Sequence, residues 1–398
     1  MPAARLLDVT RTLRRAGRMA TGVDRVEQAY LAQFLSDDIL CFGLARTPLG
    51  YLLLDRAGLQ GIQDRIDGRA DWGAPDGLSQ LRRGRAMEVR RAEADFRRLA
   101  ISRAAVWGLP RLIKNLPDPC PYFNVGHSNL SRRVLSTLSK HGLDINVLIH
   151  DVIPLEYPQY QRPGSVEPFR EKLKNVQKWA DRVIYNSADT KAKAEAQMAA
   201  WGETPAGIVA HLGTVLPKPD PSELPHGLPP AEPYFVTVGT IEPRKNHKFL
   251  LDIWDEMGPD APLLLICGGR GWNNDAVFAR LDRLGPDSRV REVRNLSDPA
   301  LAALVQSASG SLFPSLAEGF GLPPLEALML KTPVLCNDLD VLHEFLGDIP
   351  VYASVSDHYQ WIRIIKNWAN TAEMQETPRG LQGPTWKKHF NLVLSPRA

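Results

Sequence analysis

Cysteine is scarce: four in 398 residues, Cys41, Cys120, Cys267 and Cys336, each standing alone with no C-x-x-C pair. That scatter suggests neither a zinc site nor a disulfide framework, and a reducing compartment is the expectation. Net charge is nearly absent as well. Lys+Arg at 48 against Asp+Glu at 45 leaves +3, too balanced for a chain that coats nucleic acid, so any basic surface must be local. Long apolar runs are missing too: the longest, such as Leu263 to Cys267, cannot cross a bilayer. The opening MPAARLLDVTRTLRR meets Arg5 and Arg11 before any apolar signal core forms, so a cytoplasmic protein is expected, neither secreted nor membrane-spanning. No repeats or low-complexity tracts stand out.

What is present reads as an ordinary folded chain, with 44% hydrophobic and 23% charged residues and a length suited to two domains. Short β-rich runs that end in Gly, Asn, Asp or Ser alternate with helical patterns, which predicts the α/β class with parallel sheets and crossover helices. In the first half the runs are Arg5–Thr10, Ile39–Leu44, Tyr122–Val125, Asn146–His150, Arg182–Asn186 and Gly207–Leu212. In the second they are Tyr234–Val238, Pro262–Cys267, Arg289–Val293, Gly310–Phe313, Pro333–Cys336 and Val351–Tyr352. Two sheets of similar size follow. Between them VLPKPDPSELPHGLPPAEP, residues 215–233, carries seven prolines and reads as an extended linker. The expected division is an N-terminal domain over 1–215, a linker over 216–233, a C-terminal domain over 234–382 and a last helix within 383–398 that packs back on the first domain. Residues 81–98 hold seven arginines against three acids, and the apolar Val106, Trp107, Leu109, Leu112, Ile113 and Leu116 follow. Together, residues 82–116 are expected to form a basic, amphipathic surface able to touch an anionic membrane.

The densest chemistry lies in SLFPSLAEGFGLPPLEALMLKTPVLCN, residues 311–337. A strand ends near Ser315, Glu318-Gly319-Phe320-Gly321-Leu322 makes a glycine turn, and a helix carrying Glu326 follows. Free amides at a helix start suit phosphate, while the two carboxylates suit sugar and ribose hydroxyls. In YFVTVGTIEPRKNHKFLLDIWDEM, residues 234–257, a buried strand leads through Gly239 to Arg244 and Lys245 at a second helix entrance. Both cations are expected to face the crevice at the carboxyl ends of the strands, where doubly wound sheets bind ligands. Asn186 and Ser187 read as a helix N-cap.

With these motifs in hand, the chain resembles the retaining, nucleotide-sugar-dependent glycosyltransferases of the GT-B fold, family 4 (group 1). The E-x₇-E element Glu318…Glu326, the GTIEPRKN turn and the KTPVLCN strand carry the resemblance over roughly residues 234–346. LLDVTRTLRR (6–15), ATGVDRVE (20–27), LIHDVIPLEYP (148–158), RVIYNSADTK (182–191) and GGRGW (268–272) are similar to a mannosyltransferase-rich subgroup. The resemblance implies two Rossmann-like doubly wound parallel-sheet domains facing across a cleft. It also implies that a hexose, mannose from GDP-mannose or another GDP- or UDP-linked sugar, passes to a glycan or lipid-linked acceptor without a metal or cofactor. Under it Glu326 holds the ribose, Glu318 the donor sugar, and Arg244 and Lys245 the diphosphate, with Gly239, Gly319, Phe320, Gly321 and Leu322 lining the donor site. His150 reaches the transferred sugar from the opposite domain, Gly22 lies by the donor phosphates or the acceptor, and Thr21 and Asp151 are acceptor-side candidates. Where the family runs through a proline-glutamate pair, this chain has Leu342-His343-Glu344. Asp338-Leu339-Asp340 has the D-x-D spacing of metal-dependent glycosyltransferases of the other common fold, but no metal role is assigned to it. Two other readings share the cleft: a sugar phosphorylase or nucleotide-sugar epimerase, and a catalytically idle scaffold or sugar-binding subunit.

Overall fold

The computed structural model describes residues 2–80, 84–370 and 383–395. The N-terminal sheet contains β1 (Ala4–Asp8), β2 (Leu40–Thr47), β3 (Gly50–Leu54), β4 (Ser102–Ala104), β5 (Tyr122–Asn124), β6 (Ile145–Ile149), β7 (Arg182–Tyr185) and β8 (Ala206–Val209). Their spatial order is β4-β3-β2-β1-β5-β6-β7-β8. All neighbours are parallel except β3, which runs antiparallel to both β2 and β4. Strands such as Ala4–Asp8 and Ile145–Ile149 are buried along their whole length, as expected where helices cover both faces of a parallel sheet.

The C-terminal sheet contains β9 (Tyr234–Val238), β10 (Leu263–Cys267), β11 (Val290–Val293), β12 (Gly310–Phe313), β13 (Val334–Cys336) and β14 (Val351–Tyr352). It is wholly parallel, in the order β11-β10-β9-β12-β13-β14. Counted from its first strand this is the 3-2-1-4-5-6 order of doubly wound sheets, so the chain reverses direction across the sheet between β9 and β12. The turns after those two strands, which carry Arg244, Lys245 and Glu318, therefore open into one crevice. In the N-terminal sheet the corresponding reversal lies between β1 and β5.

The sequence reading has no strand at β3 or β4. The structure adds this antiparallel pair, so the two sheets differ in size among the described residues. Gly50 makes the hairpin possible: it sits at φ +136°, and a Cβ there would lie 2.0 Å from the Ala104 carbonyl oxygen. The basic stretch also departs from expectation. Leu109, Leu112 and Ile113 are core residues. Arg97 is buried on Asp76, Arg85 pairs with Glu93 at 3.1 Å, and Arg98 pairs with Asp95 at 2.6 Å. Arg82 and Arg83 lie outside the described residues. Of the expected amphipathic face, Trp107 stays exposed, with the Arg133 guanidinium 3.7 Å from its ring centre. Folding thus draws Leu109, Leu112, Ile113 and Arg97 inward and leaves Arg85, Arg98 and Trp107 exposed, and periodicity cannot distinguish a core-facing stripe from a membrane-facing one.

The helix Trp386–Val393 lies on the first domain. His389 Nε2 is 2.8 Å from the Tyr30 hydroxyl, and Arg182 donates to the Val393 carbonyl at 2.6 Å. Phe390 and Val393 are buried, each contributing roughly 1.5–3 kcal/mol of apolar burial. One apolar cluster runs from Leu7 and Phe34 through Leu212, Phe320 and Leu342 to Cys336, joining the inner faces of both domains. No helix among the described residues is long and apolar enough to cross a membrane.

Candidate active site

The turn after β9 begins at Gly239, which takes φ +145°, and runs through a single 3₁₀ turn, Pro243–Lys245. Asn246 follows in the left-handed conformation at φ 55° and starts the helix His247–Met257. The bend throws Arg244 and Lys245 toward the turn after β12. Arg244 Nη1 lies 2.8 Å and Lys245 Nζ 2.6 Å from the same Glu318 oxygen, Oε1. Arg244 also pairs through Nε with Glu242 at 2.7 Å and donates to the Ala317 carbonyl at 3.1 Å. Lys245 sits 4.6 Å above the Phe313 ring.

Burial raises the Glu318 carboxyl, but the adjacent Arg244 and Lys245 outweigh it and hold the group down at about 2. Burial lowers Lys245 against the pull of Glu318, whereas Glu318, Glu242 and Asp151 keep Arg244 firmly cationic against its own burial. The cluster is ionised and internally satisfied.

The helix Leu322–Met329 starts at Gly321, left-handed at φ 104°. Pro323 and Pro324 have no N–H, so the donors of this cradle come earlier than a generic helix start would place them. The amides of Gly319, Phe320, Gly321 and Leu322 have no hydrogen bond among the described residues. Phe320 is buried and stacked on Phe345, with centroids 4.4 Å apart, which fixes the turn from below. Glu326, one turn into the helix, is raised by burial and accepts from Arg25 of the other domain at 2.9 Å.

The first domain closes on this turn directly. A Cβ on Gly319 would lie 2.1 Å from the His150 carbonyl oxygen and 2.8 Å from Asp151 Cβ, so only glycine fits. Ser187 Oγ and Thr190 Oγ1 donate to the Gly319 carbonyl at 3.1 and 3.0 Å, while Ser187 also caps its own helix by accepting from the Thr190 amide. Gly22 opens the helix Gly22–Ser36 after its cap Thr21, and a Cβ there would touch Leu322 at 3.4 Å. Thr21 is fastened to Asp24 through a capping box. His150 is buried. Its Nε2 is 2.7 Å from the Val125 carbonyl, which accepts the Nε2 proton and leaves Nδ1 as the acceptor. Burial lowers its basicity to about 4, so it is neutral at physiological pH. Its ring is thus engaged with its own domain, and its backbone makes the approach to the donor turn. Burial raises the Asp151 carboxyl, which accepts from the Ile153 amide at 3.1 Å and lies within the field of Arg244.

Other closure contacts escaped sequence reasoning. Glu344 reaches from the second domain to cap the helix Ala188–Ala199 of the first, accepting from the Ala188 amide at 2.7 Å and from His211 Nε2 at 2.6 Å. Trp272 Nε1 donates to the Tyr160 carbonyl at 2.9 Å. Each joins residues more than a hundred positions apart, and nothing local marks them, although Glu344 stands where the expected proline-glutamate pair is altered. Asp338 is exposed and bonded to His343 at 2.7 Å, and Asp340 starts the helix Asp340–Leu346.

Comparison with known proteins agrees with this architecture. Residues 223–375 match the family described as Glycosyl transferases group 1. The chain is 31% identical over 270 residues to the serotype-specific mannosyltransferase WbdA of Escherichia coli, which covers 62% of this chain and 32% of that protein. It is 32% identical over 139 residues to the O-antigen chain mannosyltransferase RfbU of Salmonella typhimurium, covering 34% of this chain and 38% of the relative. The chain therefore spans about a third of the length of the curated relatives it matches. The crystal structure of Anabaena HepE in complex with UDP and glucose superposes with a TM-score of 0.62 at 16% identity, over 95% of this chain and 92% of the other, a likeness of fold. The crevice between two doubly wound sheets, with its charged turn and glycine cradle, belongs to a chain of the GT-B fold whose residues 223–375 match the Glycosyl transferases group 1 family.

Proposed function

We propose that the chain is a retaining hexosyltransferase that moves a sugar, mannose from GDP-mannose in the leading reading, from a nucleoside-diphosphate donor to a glycan or lipid-linked acceptor in surface polysaccharide synthesis. The observation that carries this reading is the pair of cations on one buried carboxylate, Arg244 and Lys245 on Glu318, beside the four unpaired amides of Gly319–Leu322. A diphosphate entering that space gains two charge-assisted partners and the amide cradle together. The mannosyltransferase relatives support the choice of sugar.

In this reading Arg244 stays oriented by Glu242, and Lys245 swings from Glu318 onto the diphosphate. Glu318 is thereby freed to accept hydroxyls of the sugar, and Glu326, released from Arg25, accepts those of the ribose. The bond between the anomeric carbon and the phosphate oxygen breaks, and the bond to the acceptor oxygen forms on the same face. The acceptor's proton passes to the departing phosphate oxygen. Arg244 and Lys245 stabilise the charge that develops there, which makes the catalysis electrostatic and positional. Neutral His150, held by Val125, stands at the junction as a positioning group for the sugar. No divalent metal is required by these steps, and the work is placed in the cytoplasm, where nucleotide sugars are made.

The test is to incubate the protein with GDP-mannose and a mannose-terminated lipid-linked oligosaccharide, following nucleotide release and the mass of the glycan. Extension by one hexose in the donor's anomeric configuration, unchanged in excess EDTA, is expected. Nucleotide release without extension for GDP- and UDP-sugars alike overturns the reading, and activity lost to EDTA and restored by manganese overturns its metal-free form.

A further inference from the structure

The reversal point of the N-terminal sheet, between β1 and β5, carries cations whose side chains have no hydrogen-bond or ion-pair partner among the described residues. They are Arg14, Arg46 and Lys172, and they come to it from three elements. Their placement is fixed by their neighbours. The Arg46 amide donates to Thr10 Oγ1 at 3.0 Å, and Arg14 lies four residues beyond Thr10 on the same face of the helix Thr10–Arg15. Lys172 lies between Phe169, whose ring is 6.2 Å from that of His127, and Asn175, which donates to the Leu130 carbonyl at 3.2 Å. It therefore faces the loop that follows β5.

The acids nearest this cluster are already engaged. Asp8 is buried and accepts from the Tyr122 hydroxyl at 2.9 Å, from Asn129 at 2.8 Å and from the Thr10 amide at 3.1 Å. Glu93 is buried between Arg85 and Arg97. Arg14 is lowered by partial desolvation and by repulsion from Arg46 and Arg85, against the pull of Asp8 and Glu93. A separate observation points the same way. Tyr51 pairs with Arg46 across β2 and β3 and is 1% exposed, yet its hydroxyl has no partner. A buried hydroxyl in the field of Arg46 and Arg133 needs an oxygen to receive it.

We propose that this second reversal point is the subsite for an anionic group of the acceptor, a phosphate ester, gripped by Arg14, Arg46 and Lys172 and accepting the Tyr51 hydroxyl. The assignment rests on the transferase reading above and names the chemistry of its acceptor. The site is coupled to the donor turn through adjacent rings. Lys172 lies within the field of His127, whose ring is 4.9 Å from that of His150, and the His150 backbone meets Gly319. The exposed Trp107, with Arg133 on its face, forms the rim along which the rest of an acceptor would lie.

Titration calorimetry of the full chain with farnesyl phosphate, farnesol, inorganic phosphate and GDP tests this. The pair Arg14→Gln/Arg46→Gln should weaken farnesyl phosphate at least about tenfold and leave GDP unchanged, whereas Lys245→Ala should do the reverse. Arg14→Gln alone, at an exposed position, gives the same direction without risk to the fold, and Arg14→Lys/Arg46→Lys should restore binding. Farnesyl phosphate binding more tightly than inorganic phosphate identifies a lipid headgroup, and equal affinity identifies a free phosphate; either supports the subsite. Equal farnesyl phosphate affinity in the parent and the Gln pair, or no binding to the parent, overturns it. If GDP fails to bind the parent while farnesyl phosphate still responds to the Gln pair, the transferase reading falls and the subsite stands.

Discussion

In the C-terminal half of the crevice each site cation is held by an acid: Arg244 and Lys245 share Glu318, and Arg25 crosses over to Glu326. In the N-terminal half Arg14, Arg46 and Lys172 are held by none among the described residues. Both clusters stand at the reversal point of a parallel sheet, so topology does not separate them. Charge compensation does. A compensated cluster stays ordered and ionised without its ligand, and the ligand must displace a carboxylate; an uncompensated one keeps its cations apart until an anion arrives. The difference teaches that a site can be prepared for the same chemistry, phosphate recognition, either by a stand-in acid or by leaving charge unbalanced.

The largest expected effect removes the stand-in. Glu318→Ala leaves Lys245 and Arg244 beside each other in a buried site, and breaking such a pair costs about 3–5 kcal/mol of stability. Urea denaturation measures it, and a loss below about 1 kcal/mol would mean that the cluster is solvated rather than buried. The same carboxyl gives a pH signature. It is held at about 2 in the folded protein against 4.5 for an ordinary glutamate, so the stability it contributes is present above pH 4.5 and is lost as pH falls toward 2. Glu318→Gln should flatten stability over that window; an unchanged slope would assign the acid sensitivity elsewhere.

Next in size is Gly319→Ala. The added methyl would strike the His150 carbonyl, so the two halves must part, and a displacement of about 1 Å at a reacting centre costs on the order of a hundredfold in turnover. Affinity for a nucleoside diphosphate alone, which the C-terminal half supplies, should change little. Equal loss of turnover and nucleotide affinity would show that the comparison draws the boundary between the halves in the wrong place.

The smallest effect belongs to Glu344→Ala. It removes a helix cap supplied from the opposite domain, worth about 0.5–2 kcal/mol, and should shift small-angle scattering of the ligand-free protein toward a larger radius of gyration. An unchanged radius would mean that Ser187 and Thr190 on the Gly319 carbonyl suffice to hold the domains together.

Legibility in the sequence follows the same divide. The donor turn could be read because its parts are local: glycines where the backbone bends, then charges, then a helix, within a few residues of a buried strand. Tyr234–Val238 and Gly310–Phe313 form strands at the positions expected from pattern alone. The hairpin of β3 and β4 could not be read, because Tyr51–Leu54 is a continuous apolar run without alternation and β4 is three residues long. The partners of Arg97 were illegible for a related reason: it meets Asp76 and Glu93 within the fold, and no spacing along the chain announces such partners. Arg25 on Glu326 joins positions 301 apart, and Glu344 on Ala188 joins positions 156 apart. Contacts of that kind arise only when two domains meet, and the residues that decide closure are among the hardest to see beforehand.

The central claim, that the cluster of Arg244, Lys245 and Glu318 receives a nucleoside diphosphate, is tested most directly by thermal unfolding of the parent and of Lys245→Ala with GDP, UDP, ADP and dTDP and their sugars. The account predicts that one base family stabilises the parent by about 2.7 kcal/mol at 100 times its dissociation constant. It also predicts that Lys245→Ala weakens that ligand by about 1.5–3 kcal/mol through loss of a charge-assisted bond. Stabilisation by none of the eight, or an affinity that Lys245→Ala leaves unchanged, would contradict it.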